Sequence, residues 1–128
     1  MLTTTGAMSG FSADDTETAR AFYRDTLGLD VRDGGMAGII ELFVTGGTPV
    51  LVYPKSNHEP ASYTVLNLFV DDIDVAADEL AASGVELLRY DGSGQDERGI
   101  MRPGGPEDGP SIAWFTDPAG NIFSIMQE

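Results

Sequence analysis

The sequence predicts an α+β fold made of two tandem β-α-β-β-β modules whose curved mixed sheets form a cleft. Three observations lead to this prediction: an internal repeat, two helical stripes that each begin at an aspartate and end at a glycine, and strand-like runs around each stripe. The repeat aligns residues 13–31 with residues 70–87 at a shift of about 57 positions. The type and order of the elements therefore match in the two halves.

The chain of 128 residues suits one domain. We place module 1 at about 6–54, a linker at 54–61 and module 2 at about 62–128. The linker reads PKSNHEPA, and its two prolines and polar residues are typical of a connection between packed elements.

Module 1 opens with a strand candidate at 7–11. Apolar side chains at helical spacing between Ala19 and Leu27 predict a helix. Asp14 is the expected N-cap, and Gly28 suits the left-handed position after the last turn. Three strand-like runs follow the helix: 29–32, 38–44 and 50–53.

Module 2 repeats this order, beginning with a strand candidate at 62–70. A second apolar stripe starts at Ile73, is capped by Asp71 or Asp72, and ends at Gly84. Three more strand-like runs follow: 85–90, 111–116 and 122–127. The glycine- and proline-rich stretch 91–110 between them is either a functional loop or a floppy insertion.

The charge of the chain restricts its partners. Seven basic residues face 21 acidic ones, which gives a net charge of −14. Such acidity argues against binding to nucleic acid or to anionic membranes, and it favours cationic ligands. The chain has no cysteine, no apolar run long enough to span a membrane, and no signal-peptide pattern at its start, so we expect a cytoplasmic protein.

Three segments give the chain a family resemblance: AFYRDTLGLDV at 21–31, VDDIDVAADELAASGVEL at 70–87 and WFTDPAGNIFSIMQ at 114–127. In these segments the sequence resembles the vicinal oxygen chelate superfamily, which includes glyoxalase I, bleomycin resistance proteins, extradiol dioxygenases and methylmalonyl-CoA epimerase. The resemblance implies the paired-module fold and a homodimer. It does not specify one chemistry, because this fold carries several.

Metal enzymes of this superfamily hold a divalent ion with His, Gln or Glu from the first and last strand of each half. Carried over to this chain, those positions fall on Met8, Val65, Ser124, and Leu51 or Val52. These side chains do not form a credible ligand set for a hard or borderline divalent cation. We therefore predict no metal and no cofactor.

Alternate strand residues point away from the helices and into the cleft. On strand 62–70 we assign the purely apolar alternate set to the core, because burial of the Asn67 amide would require partners. One of Trp114 and Phe115 should face the cleft. Glu41 is either a general base or cation-binding group, or a solvated outer residue. The predicted ligand-binding residues are Met8, Glu41, Tyr63, Val65, Asn67, Trp114, Ser124 and Met126.

We predict a metal-independent protein that binds a cationic or planar small molecule. One alternative is a metal-dependent lyase, dioxygenase or epimerase whose ligands are displaced to Glu41, His58, Glu107 or Gln127. Another is a regulatory or protein-interaction module. His58, the only histidine, is expected to be an exposed linker side chain, because no predicted element positions it.

Overall fold

The computed structural model describes residues 1–104 and 109–128, and the chain divides into two compact units. Unit 1 is Met1–Pro60 and unit 2 is Ala61–Glu128, so the boundary falls at the end of the predicted linker. Each unit contains a mixed sheet and a helix, which confirms the α+β prediction. Within the described residues, no helix combines the length and the apolar character needed to cross a membrane.

Unit 1 contains a four-stranded sheet in the order β1-β4-β3-β2. Strand β1 runs parallel to β4, and the other neighbours are antiparallel. Helix α1 follows β1 and continues into a π-helical turn at Phe22–Thr26. The bounds of the elements are β1 Gly10–Ala13, α1 Thr16–Ala21, β2 Asp30–Asp33, β3 Ile40–Phe43 and β4 Val50–Pro54.

The predicted first strand is shifted, because it begins at Gly10 rather than at residue 7. The register pairs Gly10 with Leu51, so the residue opposite Met8 is Pro49. Proline has no backbone N–H to donate to a neighbouring strand. Met8 therefore precedes the sheet and is 52% exposed.

The helix ends correct one prediction and confirm another. Helix α1 is capped by Asp15 and not by Asp14, since Asp15 Oδ1 accepts hydrogen bonds from the amides of Glu17 and Thr18 at 3.0 and 3.1 Å. The glycine predicted to end this helix, Gly28, has φ of +71°. That left-handed backbone is the conformation for which glycine is favoured.

Unit 2 contains a three-stranded sheet in the order β5-β7-β6. Strand β7 lies between β5, to which it is parallel, and β6, to which it is antiparallel. Helix α2 is capped by Asp72 and followed by Gly84 at φ +84°. The bounds are β5 Thr64–Phe69, α2 Ile73–Ala82, β6 Ser111–Thr116 and β7 Ile122–Gln127.

The predicted strand at 85–90 is wrong, since this segment forms no strand. It makes one backbone hydrogen bond to β6, from Leu88 N to Trp114 O at 2.7 Å. The Gln95 side chain occupies the groups that a neighbouring strand would need, because it donates to Leu88 O at 2.8 Å and accepts from Tyr90 N at 2.7 Å. Module 2 is therefore β-α-β-β.

The segment 95–102 is packed against the sheet, and we call it the strap. Met101 exchanges two backbone hydrogen bonds with Ile112 on β6, at 2.8 and 3.0 Å. Ile100 is fully buried, and its amide donates to Asp96 Oδ1 at 2.9 Å. Within the described part of 91–110, the strap is thus an ordered element, which argues against a floppy insertion there.

Candidate functional site

The open face of unit 2 is the surface of its sheet opposite α2. The side chains that point toward the helix from β6 and β7 include Ala113, Phe115, Phe123 and Ile125, all buried. By strand alternation the intervening side chains point the other way. The open face consists of Thr64, Asn67, Phe69, Ile112, Trp114, Thr116, Ile122, Ser124 and Met126.

Four of the predicted ligand-binding residues come together on this face. The register places Asn67, Ser124 and Trp114 side by side in one row across the three strands. The adjacent row contains Met126, flanked by Phe69 and Ile112. A polar pair thus lies within an aromatic and apolar surface, a combination that suits small-molecule binding.

The polar pair is a direct hydrogen bond. Ser124 Oγ donates to Asn67 Oδ1 at 2.5 Å, and Ser124 is fully buried whereas Asn67 is exposed. The amide nitrogen of Asn67 makes no hydrogen bond within the described residues. It is therefore a donor that a ligand could use.

The choice between the two adjacent aromatic residues on β6 is resolved by their contacts. Phe115 is fully buried and packs against Phe123, with ring centroids 5.6 Å apart. Trp114 is half-buried on the open face. Its ring meets that of Tyr90 nearly at right angles, at a centroid separation of 5.3 Å and an interplanar angle of 86°.

Two further predicted residues of unit 2 lie outside the row. Val65 sits where the pairing of β5 with β7 shifts register, between Thr64 and Leu66. Tyr63 precedes the strand and is 70% exposed. Neither is aligned with the Asn67–Ser124 pair.

In unit 1, Glu41 lies on the sheet face opposite the buried side chains of Ile40 and Leu42. Its partner across the strands is Arg32. The Arg32 guanidinium contacts Asp30 at 2.8 Å and lies 4.0 Å from the ring centroid of Phe43. The hydrogen bond to Asp30, supported by the negative charge of Glu41, raises the pKa of Arg32. Glu41 therefore faces a cation of the protein itself.

The expectation that His58 is an exposed linker side chain is wrong. His58 is half-buried, and its Nδ1 lies 2.6 Å from Ser12 Oγ. The turn that places it is closed by a hydrogen bond from His58 N to Lys55 O at 3.0 Å. A turn inside the linker thus positions this ring, which the linker composition did not indicate.

The residues at the family's metal-binding positions do not fit a divalent ion. Val65 and both candidates on β4, Leu51 and Val52, offer only apolar atoms, and Met8 offers a thioether. The Ser124 hydroxyl is already engaged by Asn67. Catalytic zinc sites, for comparison, use three protein ligands drawn from histidine, carboxylate and cysteine side chains.

The displaced ligand set receives little support from the geometry. The Gln127 side chain accepts a hydrogen bond from Ile73 N at 2.8 Å and so serves the first turn of α2. Glu107 lies outside the described residues. Within 1–104 and 109–128, no three histidine, aspartate or glutamate side chains are grouped in a way that could hold a metal ion.

The predicted ligand-binding set omitted several residues of the open face and its border, among them Phe69, Ile112 and Tyr90. The first two share strand parity with Asn67 and Trp114, so alternation alone could have identified them. Tyr90 had no such signal, because its position depends on the Gln95 side chain.

The family match agrees with this fold. The chain belongs to the Glyoxalase/Bleomycin resistance protein/Dioxygenase superfamily, whose family model matches residues 8–125. No curated protein is similar enough to count as a relative.

Solved structures share the fold at low sequence identity. TnmS3, an antibiotic binding protein from Streptomyces sp. CB03234, is 24% identical over 98% of both chains, with a TM-score of 0.67. A superfamily member from Sphaerobacter thermophilus is 24% identical over 96% of this chain and 98% of that one, with a TM-score of 0.68. Lactoylglutathione lyase from Agrobacterium tumefaciens is 19% identical over 98% of this chain and 94% of that one, with a TM-score of 0.67.

Proposed function

We propose that this protein binds and sequesters a cationic or planar small molecule without a metal ion. The observation that carries the proposal is the chemistry of the inherited metal positions, which offer methionine, aliphatic side chains and a serine hydroxyl that is already hydrogen-bonded. Such a set cannot supply the imidazole or carboxylate donors that the metal chemistry of this superfamily requires.

The open face of unit 2 supplies what a planar ligand needs. Trp114 and Met126 provide apolar contact area, and the Asn67 amide provides a directed hydrogen bond. Covering roughly 100 Å² of apolar surface contributes about 2.5 kcal/mol before the entropic cost of association. Met8, Glu41, Tyr63 and Val65 remain predictions as further ligand contacts.

Solved structures of the same fold are compatible with this proposal and with the alternative of a metal-dependent enzyme. One solved structure of the same fold is described as an antibiotic binding protein and another as a lactoylglutathione lyase. The side chains at the metal-binding positions of this chain favour the comparison with the antibiotic binding protein. A homodimer in the cytoplasm, as the family resemblance and composition suggest, completes the proposal.

The test is a thermal-shift screen against divalent metals and against planar cationic and planar neutral compounds. A ligand that binds the native state raises the melting temperature by mass action. We expect planar compounds to raise it for the wild type and for Val75→Ala, a variant of an exposed position on α2. Trp114→Ala should lose this shift.

Two outcomes would overturn the proposal. One is a shift produced by zinc, nickel, iron or manganese together with stoichiometric metal in protein purified without chelators. The other is the absence of a shift with every organic compound. Equal shifts of the melting temperature in Trp114→Ala and Val75→Ala would show that the ligand does not bind at the open face of unit 2.

A further inference from the structure

We infer that Tyr90 and Trp114 form a binding corner for an organic ammonium group, the part of the ligand that carries positive charge. This inference rests on the proposed function and specifies the ligand's charged group. The two rings stand at 86° with centroids 5.3 Å apart in a T-shaped contact, so their planes adjoin nearly at right angles. A cation seated beside these rings can contact an electron-rich ring face, which attracts it.

The backbone of Tyr90 and of Trp114 is held in place by hydrogen bonds. Tyr90 N donates to Gln95 Oε1 at 2.7 Å, and Tyr90 O accepts from Ser93 Oγ at 2.7 Å. The backbone of Trp114 is tied to the same segment through the bond from Leu88 N. Because the backbone that carries both rings is held before a ligand arrives, less conformational entropy is lost on binding than in a free loop.

The corner is open to a ligand. Tyr90 is 41% exposed, and Trp114 is half-buried on the open face. Among the described residues, the one guanidinium that lies over an aromatic ring is that of Arg32 over Phe43, in unit 1. No cation of the described chain therefore fills the corner.

The arginines of unit 2 are engaged elsewhere. Arg98 and Arg102 both contact Asp74, at 3.1 and 2.6 Å. Arg89, the neighbour of Tyr90 in sequence, donates to the backbone carbonyls of Asp96 and Glu97. The guanidinium groups of these three arginines therefore bind within the strap or tie it to α2 and to residue 89.

The net charge of unit 2 favours a cation over a neutral group. Unit 2 has 13 of the 21 acidic residues and three of the seven basic ones, so 10 of the 14 net negative charges lie in it. A methylated ammonium group suits this environment, because it needs no hydrogen-bond acceptor and is weakly hydrated. Aromatic corners are a known means of recognising such groups.

The experiment compares choline with 3,3-dimethylbutan-1-ol, which has the same shape without the charge. Trp114 is the only tryptophan in the chain, so intrinsic fluorescence reports directly on the corner. We expect a saturable change with choline and an affinity about three- to tenfold weaker for the neutral alcohol. Tyr90→Phe keeps the ring and should retain this preference, whereas Tyr90→Leu should abolish it.

Three results would overturn the inference: no saturable change with choline, equal affinities for the two probes, or equal behaviour of Tyr90→Leu and Tyr90→Phe when both variants melt like the wild type. These results are distinguishable from failure of the proposed function. If planar neutral compounds still raise the melting temperature through Trp114, small-molecule binding stands and only the ammonium corner is lost.

Discussion

At the scale of single residues, Ser124 is defined by one hydrogen bond, to Asn67. Its hydroxyl is fully buried and donates to Asn67 on the parallel neighbouring strand. In the function that we propose, this hydrogen bond orients the Asn67 amide toward the ligand. Ser124 is thus one half of the polar pair on the open face.

Ser124→Ala should lower the free energy of unfolding by about 0.5 to 1.5 kcal/mol, the usual net contribution of one hydrogen bond. Urea denaturation measures this loss. The matched comparison is Asn67→Ala together with the double variant, which should lose little more than Ser124→Ala alone if the two side chains act through one bond. Fully additive losses would contradict this interpretation.

Single residues also mark where sequence reasoning succeeds and where it stops. Alternation predicted that Trp114 and Phe115 point to opposite faces, but both are aromatic, so only the packing of Phe115 against Phe123 decides between them. His58 lay in a segment of linker composition. Its contact with Ser12 depends on a turn that the local sequence pattern did not predict.

At the scale of elements, the strap is held to α2 by a network of charged groups. Asp74, in the first turn of the helix, contacts Arg98 and Arg102 of the strap. Hydrogen bonding from Arg102 lowers the pKa of Asp74. Burial of Asp96 opposes its ionisation, but hydrogen bonds from the Ile100 amide and from Arg102 outweigh that effect and lower its pKa too.

The strap should loosen in acid. A carboxylate whose pKa is lowered by folding stabilises the protein above the ordinary aspartate value of about 3.9, and this contribution is lost as the pH falls through the lowered value. Asp74→Asn should therefore reduce the melting temperature at pH 7, with a smaller difference from the wild type near pH 2.5.

The matched control for that experiment is Asp71→Asn, which removes an exposed carboxylate that forms no ion pair within the described residues. It should leave the melting temperature at pH 7 nearly unchanged. Equal effects of the two variants would mean that net charge, and not the contact with the strap arginines, is responsible.

Helices were more predictable than strands. Both helices and the glycines that follow them, Gly28 and Gly84, could be read from apolar spacing because those signals lie within one segment. The strand predicted at 85–90 failed because strand formation requires a partner, and Gln95 takes its place. The open face could be anticipated where alternation applied, at Asn67, Trp114, Ser124 and Met126. The position of Tyr90 at its border could not be predicted, because it depends on the Gln95 side chain.

At the scale of the whole molecule, the net charge of −14 should speed the capture of the cationic ligand that we propose. Attraction by a field of one sign raises the association rate, and salt screens it. The screening length falls from about 30 Å at 0.01 M salt to about 8 Å at 0.15 M.

For a cationic ligand, the association rate constant should therefore fall over this range of salt, whereas that of a neutral ligand of the same shape should hardly change. Stopped-flow measurement of Trp114 fluorescence gives both rates. A cationic ligand whose rate is independent of salt would show that the acidity does not guide binding.

The order of strands in unit 2 has a consequence for how the chain is made. Strand β7, the last of the three strands to be synthesised, lies in the middle of its sheet, between β5 and β6. The sheet of unit 1, by contrast, is complete once Val50–Pro54 has been synthesised. During translation the strands of unit 1 can therefore form their hydrogen bonds early. The strands that carry Asn67 and Trp114 cannot be linked in one sheet until residues 122–127 have been synthesised.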